Sequence, residues 1–582
     1  MSNFFKYFFA ALLALIAFVF IGFIFLVGAG ASSASADNPS LKKNSILTID
    51  LSNSIKEQTA DNEFNFGGVN EGQDGLYDLK AAIEHAKTDE KVKGIYIKMG
   101  MTFNGWATLY DLKKSLEDFK NSKKFIYAYG DYTDQKTLYL SSVADSIFIN
   151  PIGAIELKGL AATGTFYKKA LDKLDIQPVV FYCGKFKGAS EPFRLEKFSE
   201  PNKQQIGDLL KDFYGEFVSA LAKKSGKDTA YISALANDLK IEKPSDAVRE
   251  HLIDGTKYEN EFLSLIKTKL GIAAKDKIAA MTISDYASLV YDSKSSKTKI
   301  AVLYADGEIV DGEGQQGQVA AKPMIREIRK LINQEDVKAV VLRINSPGGS
   351  ALASENMYQE LMQLRKLKPI IISMGDVAAS GGYYLSCAGD SIFAQPNTIT
   401  GSIGVVGMML NFENFMKNNI GVTTDVVKTN AHADFPNVTR TMTDKEMAYM
   451  QMNTDRIYGI FKQRVMDARK VDQAFVDSIA QGHVYSGARG KELKLVDGIG
   501  GMDRALQSAA AIAKLSDYKV VFYPAVKDGL QEMINKFIGK KTDEVIVKQA
   551  LGEDYKLYQK MKSLRSNMDK VNMLMPFELE IK

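Results

Sequence analysis

The sequence predicts an α/β protein made of two tandem, homologous strand–helix units behind an N-terminal transmembrane helix. Three features predict it. A repeat holds one register over much of the chain, β-branched runs alternate with helical patterns inside each copy, and one long apolar run stands near the start.

The apolar run comes first. Phe8 to Val27 carries no charge and is built from Phe, Ala, Leu, Ile and Val. Twenty helical residues at about 1.5 Å each span about 30 Å, one bilayer core. Ala34-Ser35-Ala36 resembles a signal-peptidase cleavage site. The run is nonetheless longer than the core of a cleaved signal, about 7–15 residues. Residues 1–36 are therefore expected to be an uncleaved signal anchor, with membrane lipid as its partner. Lys6 precedes the run and Lys42 and Lys43 follow it, so flanking charge sets its orientation only weakly.

The repeat comes next. Gly130 to Pro151 reads GDYTDQKTLYLSSVADSIFINP and Gly375 to Pro396 reads GDVAASGGYYLSCAGDSIFAQP, with ten of 22 positions identical at an offset of 245. The same offset pairs Lys91–Ile97 with Asp336–Leu342, and Leu252-Ile253-Asp254-Gly255 echoes Leu495-Val496-Asp497-Gly498. Two homologous domains follow, 45–290 and 298–525, joined by the polar stretch 292–297. Residues 526–582 are Lys-rich and amphipathic and are expected to form a C-terminal helical extension.

Within the second copy, Ile300–Tyr304 and Ala339–Ile344 suit buried parallel strands. Pro323 opens a helical pattern through about Leu331, proline being tolerated in a first turn. Ala351–Lys366 reads as a helix, Pro369–Ser373 as a strand, Ser380–Cys387 as a short helix and Ser391–Ala394 as a strand. Such alternation puts ligand sites at the carboxyl ends of the strands.

Composition narrows the function classes. Apolar content of 46% and charged content of 25% are those of a globular protein. The net charge of +4, without a basic patch interleaved with aromatics, argues against nucleic acid as a partner. Cys183 and Cys387 make neither a disulfide framework nor a zinc pattern and are expected to be buried free thiols. No motif points to a metal or cofactor.

Two glycine-rich turns stand at strand ends in the second copy: Asn345-Ser346-Pro347-Gly348-Gly349-Ser350 and Ala378-Ala379-Ser380-Gly381-Gly382-Tyr383-Tyr384. Glycine lets a backbone approach a substrate closely and aim amides at it. A serine at a helix start feels the positive end of the dipole. The amide of Gly381 with that of Gly348 or Gly349 suits a developing oxyanion. Serine also needs a base. Of His85, His251, His432 and His483, only His432 is placed plausibly for a triad. The alternative is a lysine in Gly184-Lys185-Phe186-Lys187-Gly188-Ala189-Ser190-Glu191-Pro192-Phe193, neutralised by burial. Taken alone, a serine before two glycines is an ordinary helix N-cap and a lysine an ordinary surface residue.

The Ser-Pro-Gly-Gly turn, Ala-Ser-Gly-Gly-Tyr-Tyr, Thr-Gly-Ser-Ile-Gly-Val (400–405) and Gly-Lys-Phe-Lys-Gly-Ala-Ser-Glu-Pro-Phe together resemble the signal peptide peptidase (SppA) family, peptidase family S49, in its long, duplicated form. The resemblance runs from the anchor to about residue 525. It implies two tandem ClpP/crotonase-like domains and a membrane-anchored serine endopeptidase with a Ser/Lys dyad. Ser380 falls on the family's nucleophile, Lys187 on its base and Ser402 on the serine that supports the base. Gly381, Gly348 and Gly349 fall on the oxyanion amides. Gly188 stands where serine is commoner. The resemblance further implies remnant signal peptides as substrates, a homotetramer, and catalytic domains on the extracytoplasmic side of a bacterial inner membrane. A crotonase-type acyl-CoA enzyme and a non-catalytic membrane scaffold are the rival readings.

The repeat adds an independent reason. At the offset of 245, Ser380 corresponds to Gln135 and the following glycines to Lys136-Thr137, while Lys187 corresponds to His432. Each copy has kept half of a site. One site assembled from both halves explains both losses, and it predicts that the end of the 179–182 strand faces the turn at Ser380.

Overall fold

A computed structural model describes residues 40–59, 75–290, 296–525 and 571–575, with the single positions 7 and 18. The predicted span Phe8–Val27 lies outside these residues but for Phe18, as do linker positions 292–295 and most of the 526–582 extension. Among the described residues no helix is long and apolar enough to cross a membrane.

The two copies build the same parallel sheet. In the first, the strand order is Gly255–Thr256, Ser146–Ile155, Phe125–Thr133, Val92–Lys98, Ser45–Asp50, Ala280–Thr282. In the second the corresponding strands run Gly498–Ile499, Ser391–Ala394, Ile370–Ala379, Val337–Ser346, Lys299–Asp306, Lys519–Tyr523, and Ile399–Gly401 with the antiparallel Val484–Ser486 brings that sheet to eight strands. These strands are β-branched and apolar because helices cover both faces. Val340, Val341, Leu342 and Ile344 are wholly buried, as are Ile95, Ile97, Ile126 and Ile147 in the first copy. Each copy has its own apolar core.

Most predicted elements appear within a few residues of their expected ends, and three depart for physical reasons. The helix Ala321–Asn333 begins two residues before Pro323. Proline is harmless there because the first four helical N–H groups have no partner in the helix. The strand expected to end at Ser373 runs to Ala379, because Val377–Ala379 continues in register with Ile399–Gly401. That extension carries the chain directly to Ser380. The third departure is in the C-terminal extension. Where it is described, it is not helical: Val571–Leu574 is a β-strand.

A third, mixed sheet joins the copies. Its order is Gln318–Ala320, Glu308–Val310, Gly348–Ser350, Val571–Leu574, Val405–Asn411, Gln177–Cys183. The last two pair antiparallel from Cys183↔Val405 to Asn411↔Gln177, and so stitch the first copy to the second. Elsewhere Asp376 of the second copy accepts bonds from the N–H groups of Ala107 (2.8 Å) and Thr108 (3.1 Å), and from the Thr108 hydroxyl. It thereby caps the helix Trp106–Phe119 of the first copy. The buried Arg343 guanidinium donates to Glu57 (2.7 and 3.2 Å), a second tie across the junction. Removing one partner of such a pair typically costs about 3–5 kcal/mol.

Candidate active site

The strand Ile370–Ala379 ends against Ser380, which stands at the N-cap of the short helix Gly381–Ser386. Its backbone has φ 54° and ψ −114°, a region that side-chain-bearing residues rarely adopt. Its hydroxyl makes no capping bond. The ordinary reason for a serine at this position is therefore absent. The side chain is instead turned toward Lys187, whose Nζ lies 2.8 Å from Ser380 Oγ.

Lys187 arrives from the first copy. The strand Gln177–Cys183 delivers the chain to Gly184, and a tight loop then turns the lysine inward. The Phe186 N–H donates to the Gln481 carbonyl (3.0 Å), and the Lys187 N–H to that of Gly184 (3.2 Å). Gly482, at φ 79°, passes so close that a Cβ there would lie 2.7 Å from Lys187 Cβ; only glycine fits. Behind the loop, Gln205 donates to the Phe186 carbonyl (2.9 Å) and to Asn202 Oδ1 (2.8 Å), and accepts from the Val484 N–H (3.1 Å). Asn202 in turn donates to the buried Glu191 carboxylate (2.9 Å). Sequence reading assigned nothing to Glu191, Asn202 or Gln205. Their signal is polar residues buried on the short helix Glu191–Arg194 and on the start of the helix Glu200–Ser225, visible only once burial is known.

Lys187 is 1% exposed, and Ser380 and Ser402 are wholly buried. Besides Ser380, the Lys187 nitrogen meets Ser402 Oγ (2.9 Å) and the Ser402 carbonyl (3.2 Å). Burial pushes its pKa well below the ordinary 10.5, and no carboxylate opposes that shift. Ser402, at φ 52°, is fixed by its N–H donating to the His483 carbonyl (2.7 Å). Lys185 is exposed and sits over the Phe186 ring, 4.9 Å from its centroid.

The glycine turns converge on the serine. A Cβ built on Gly348 would lie 2.7 Å from the Gly381 nitrogen and 3.0 Å from Ser380 Cβ. The Gly348 N–H donates to Ser346 Oγ (3.2 Å). Gly349 pairs in register with Met573 of the C-terminal strand.

The histidines are engaged elsewhere. His85 meets Tyr286, His432 meets Glu446 (2.9 Å), and His483 Nδ1 meets the Val484 carbonyl. His251 is exposed at a turn. Tyr383 and Tyr384 are buried packing residues, with hydroxyls on the Leu495 carbonyl and Glu355. Both cysteines are buried free thiols whose pKa burial pushes up to about 12. Among the described residues no acidic, His or Cys cluster suits a metal.

The sequence matches known proteins along most of its length. The profile of peptidase family S49 matches residues 118–273 and again 362–516, one match in each copy, and a Clp protease profile matches 292–409. The chain is 32% identical to Protease 4 of Salmonella typhi over 559 residues, covering 91% of this chain and 89% of that protein. It is 30% identical to Protease 4 of Haemophilus influenzae over 566 residues, 90% and 91% of the two chains. It is 28% identical to the chloroplastic serine protease SPPA of Arabidopsis thaliana over 484 residues, 81% and 69% of the two. With a family match in each half and near full-length relatives on either side, the chain belongs to peptidase family S49, in the long duplicated form, and is a serine-type peptidase.

Proposed function

We propose that Ser380 is the nucleophile and Lys187 the general base of a Ser/Lys dyad that hydrolyses peptide bonds through an acyl-enzyme. The observation that carries this reading is the 2.8 Å contact between Lys187 Nζ and Ser380 Oγ, made by a lysine with no carboxylate beside it. A neutral amine has two N–H groups and one lone pair. The carbonyl and hydroxyl oxygens of Ser402 take the two N–H groups, which leaves the lone pair facing the Ser380 hydroxyl. Lys187 thus accepts the serine proton as Oγ attacks, then returns it to the leaving amine. The amide of Gly381, with that of Gly348 or Gly349, holds the oxyanion, one such donor being worth about 3 kcal/mol. Water then attacks the acyl-enzyme with Lys187 again as base.

The substrates we propose are signal peptides left in the membrane after preprotein cleavage. The Phe8–Val27 run supports an anchor beside the catalytic units, and the family resemblance implies a bacterial inner membrane with those units on its extracytoplasmic side. A homotetramer belongs to the same reading. The test is casein and signal-peptide cleavage by wild type, Ser380→Ala and Lys187→Ala, with a fluorescent fluorophosphonate as a second readout. Only wild type should cleave, and Ser380→Ala should take no label. Full activity in Lys187→Ala, or its loss in His432→Ala, would overturn the dyad.

A further inference from the structure

His483 lies beside the dyad, and the proposed reaction gives it no part. Its main chain and its ring touch different halves of the site. The His483 carbonyl accepts the N–H of Ser402 (2.7 Å), the serine whose hydroxyl and carbonyl meet Lys187 Nζ. The ring packs edge-on against Phe186, the residue before Lys187, with centroids 4.3 Å apart at 67°. Tyr485 stacks on the same imidazole, 4.3 Å away at 17°. The stack is continuous: Lys185 sits over Phe186, and at the far end the Tyr485 hydroxyl donates to the Ile479 carbonyl (2.9 Å). Within it the imidazole is fixed. Its Nδ1 lies 2.7 Å from the Val484 carbonyl, which can only accept, so Nδ1 carries the hydrogen. Burial lowers the ring's pKa below the ordinary 6.5, against the Val484 carbonyl and Asp208 and with Lys185 and Arg489, so the ring is uncharged at neutral pH.

A cavity of about 520 Å³ opens against His483 and Tyr485. Its other walls carry Asp208, Lys211 and Asp212 from the helix Glu200–Ser225, and Arg489 and Glu492 from the helix Gly487–Glu492. A polar cavity of this size holds water. Beyond His483 and Gly482 lies Lys187. The Phe186 N–H donates to the Gln481 carbonyl (3.0 Å), and a Cβ on Gly482 would lie 2.7 Å from both the nitrogen and the Cβ of Lys187. Lys187 is 1% exposed, and burial is what lowers its pKa. Whatever keeps this lysine dry therefore keeps it neutral.

We propose that His483 is a positioning residue for the dyad: its carbonyl and its ring tie Ser402 to the Lys187 loop, and the imidazole closes the wall between the wet cavity and the base. The kinetic consequence rests on Lys187 being the base, whereas the seal itself concerns only hydration. Without the ring, water reaches the Phe186–Lys187 segment from the cavity. A better-hydrated ammonium forms more readily, so the pKa of Lys187 moves back toward 10.5 and less neutral amine is present at a given pH.

The test compares His483→Ala, His483→Asn and His483→Phe in the full chain. Phenylalanine keeps a flat ring against Phe186 and Tyr485, asparagine keeps a donor without a ring, and alanine keeps neither. His483→Ala and His483→Asn should move the acid limb of the kcat/KM profile up by about one pH unit, a roughly tenfold loss on that limb, with the plateau and KM within about threefold of wild type. His483→Phe should restore the wild-type profile. An unmoved limb in His483→Ala, with only the melting temperature lowered, would make the ring merely structural and overturn the proposal. So would a His483→Phe protein that behaves as His483→Ala does. A second arm needs no chemistry. In a Ser380→Ala background, urea unfolding at a series of pH values reads the burial of Lys187, because unfolding free energy rises between its lowered pKa and 10.5. Adding His483→Ala should raise the lower edge of that range by about one pH unit, and adding His483→Phe should leave it in place. An unchanged range in His483→Ala sinks the seal whatever the dyad does. Full cleavage by Lys187→Ala, with the range narrowed, would remove the dyad and leave the seal standing.

Discussion

Positions 135 and 380 occupy the same place in two copies of one fold, and they are built in opposite ways. In the first copy Asp134 caps the helix Gln135–Ser141 in the ordinary manner, its carboxylate accepting the Thr137 N–H (2.7 Å) at a relaxed φ of −80°. The buried Gln135 then closes the space beyond. Its Nε2 donates to the Gly159 carbonyl (2.8 Å) and its Oε1 accepts the N–H groups of Lys158 and Gly159 (3.0 and 2.9 Å). In the second copy the cap is Ser380 at φ 54°, its hydroxyl withheld from the helix and held by Lys187. The first copy closes this position with side-chain-to-backbone hydrogen bonds. The second keeps a strained backbone and a buried amine, beside a glycine turn that pairs with the strand Val571–Leu574. The same topology thus serves stability in one place and reactivity in the other, and strain of this kind costs about 1–3 kcal/mol where it is kept.

The largest expected effect breaks the reactive half at its base. Lys187→Met should lower kcat/KM by about 10⁴-fold or more, as losses of acid–base partners do elsewhere, while Lys185→Met, at an exposed position, stays within about twofold. The pH dependence carries the sign. In the proposed dyad activity needs the neutral amine, so wild-type kcat/KM should rise with pH through the lowered pKa of Lys187 and then level. Stability moves in the same direction. Between that lowered value and 10.5 the unfolded lysine binds more proton than the folded one, so unfolding free energy increases with pH across the window. Below the window both states are charged and the burial cost is present in full. Urea unfolding at a series of pH values should show this slope in wild type and lack it in Lys187→Met. A Lys187→Met protein with the wild-type slope would assign the burial to some other group.

The middle effect sharpens the contrast in stability. Ser380→Gly removes the side chain from a positive φ and should raise stability by about 1 kcal/mol while abolishing cleavage. Gln135→Ala leaves the Lys158 and Gly159 amides without their acceptor and should cost about 1–3 kcal/mol with kcat unchanged. Thermal unfolding and peptide cleavage on both proteins read the two trends together. A destabilised Ser380→Gly would mean that the serine's contacts outweigh its backbone strain.

Much of this contrast is legible in the sequence, because the repeat puts Ser380 and Gln135 side by side at one offset, and the β-branched runs of each copy locate the sheet whose end carries them. Lys187 is legible only through the resemblance and the complementary losses, since periodicity gives no reason for a lysine to be buried. What stays hidden is set by contacts between distant segments. Gln205 and Asn202 look like the polar face of a long helix until the Lys187 loop is seen lying on them. The strand Val571–Leu574 is too short for its period to be read, and its hydrogen-bonding partners lie more than 160 residues away. An amphipathic, Lys-rich stretch therefore reads as helix, although its edge-pairing segment is extended.

The smallest effect tests how tightly the base half is supported. A Cβ on Gly188 would lie 2.6 Å from Asn202 Nδ2 and 3.0 Å from its Cγ. This explains why a glycine stands where the resemblance leads one to expect serine: here the amide of Asn202 fills the space. In Gly188→Ala the Asn202 side chain must give way, and it is held by Glu191 on one side and Gln205 on the other. Gln205 in turn holds the Phe186 carbonyl, one residue before the base. The displacement of Asn202 reaches the Lys187 loop through two hydrogen bonds. Overpacking of this size costs about 1–3 kcal/mol of stability, and kcat should fall only about threefold with the pH profile of Lys187 unmoved. Asn202→Ala in the Gly188→Ala background frees the space, so the two substitutions should couple by about 0.5–3 kcal/mol in a double-mutant cycle. Additive effects would show that Gly188 and Asn202 do not press on one another, and would leave the Glu191–Asn202–Gln205 chain a support for the helix start alone.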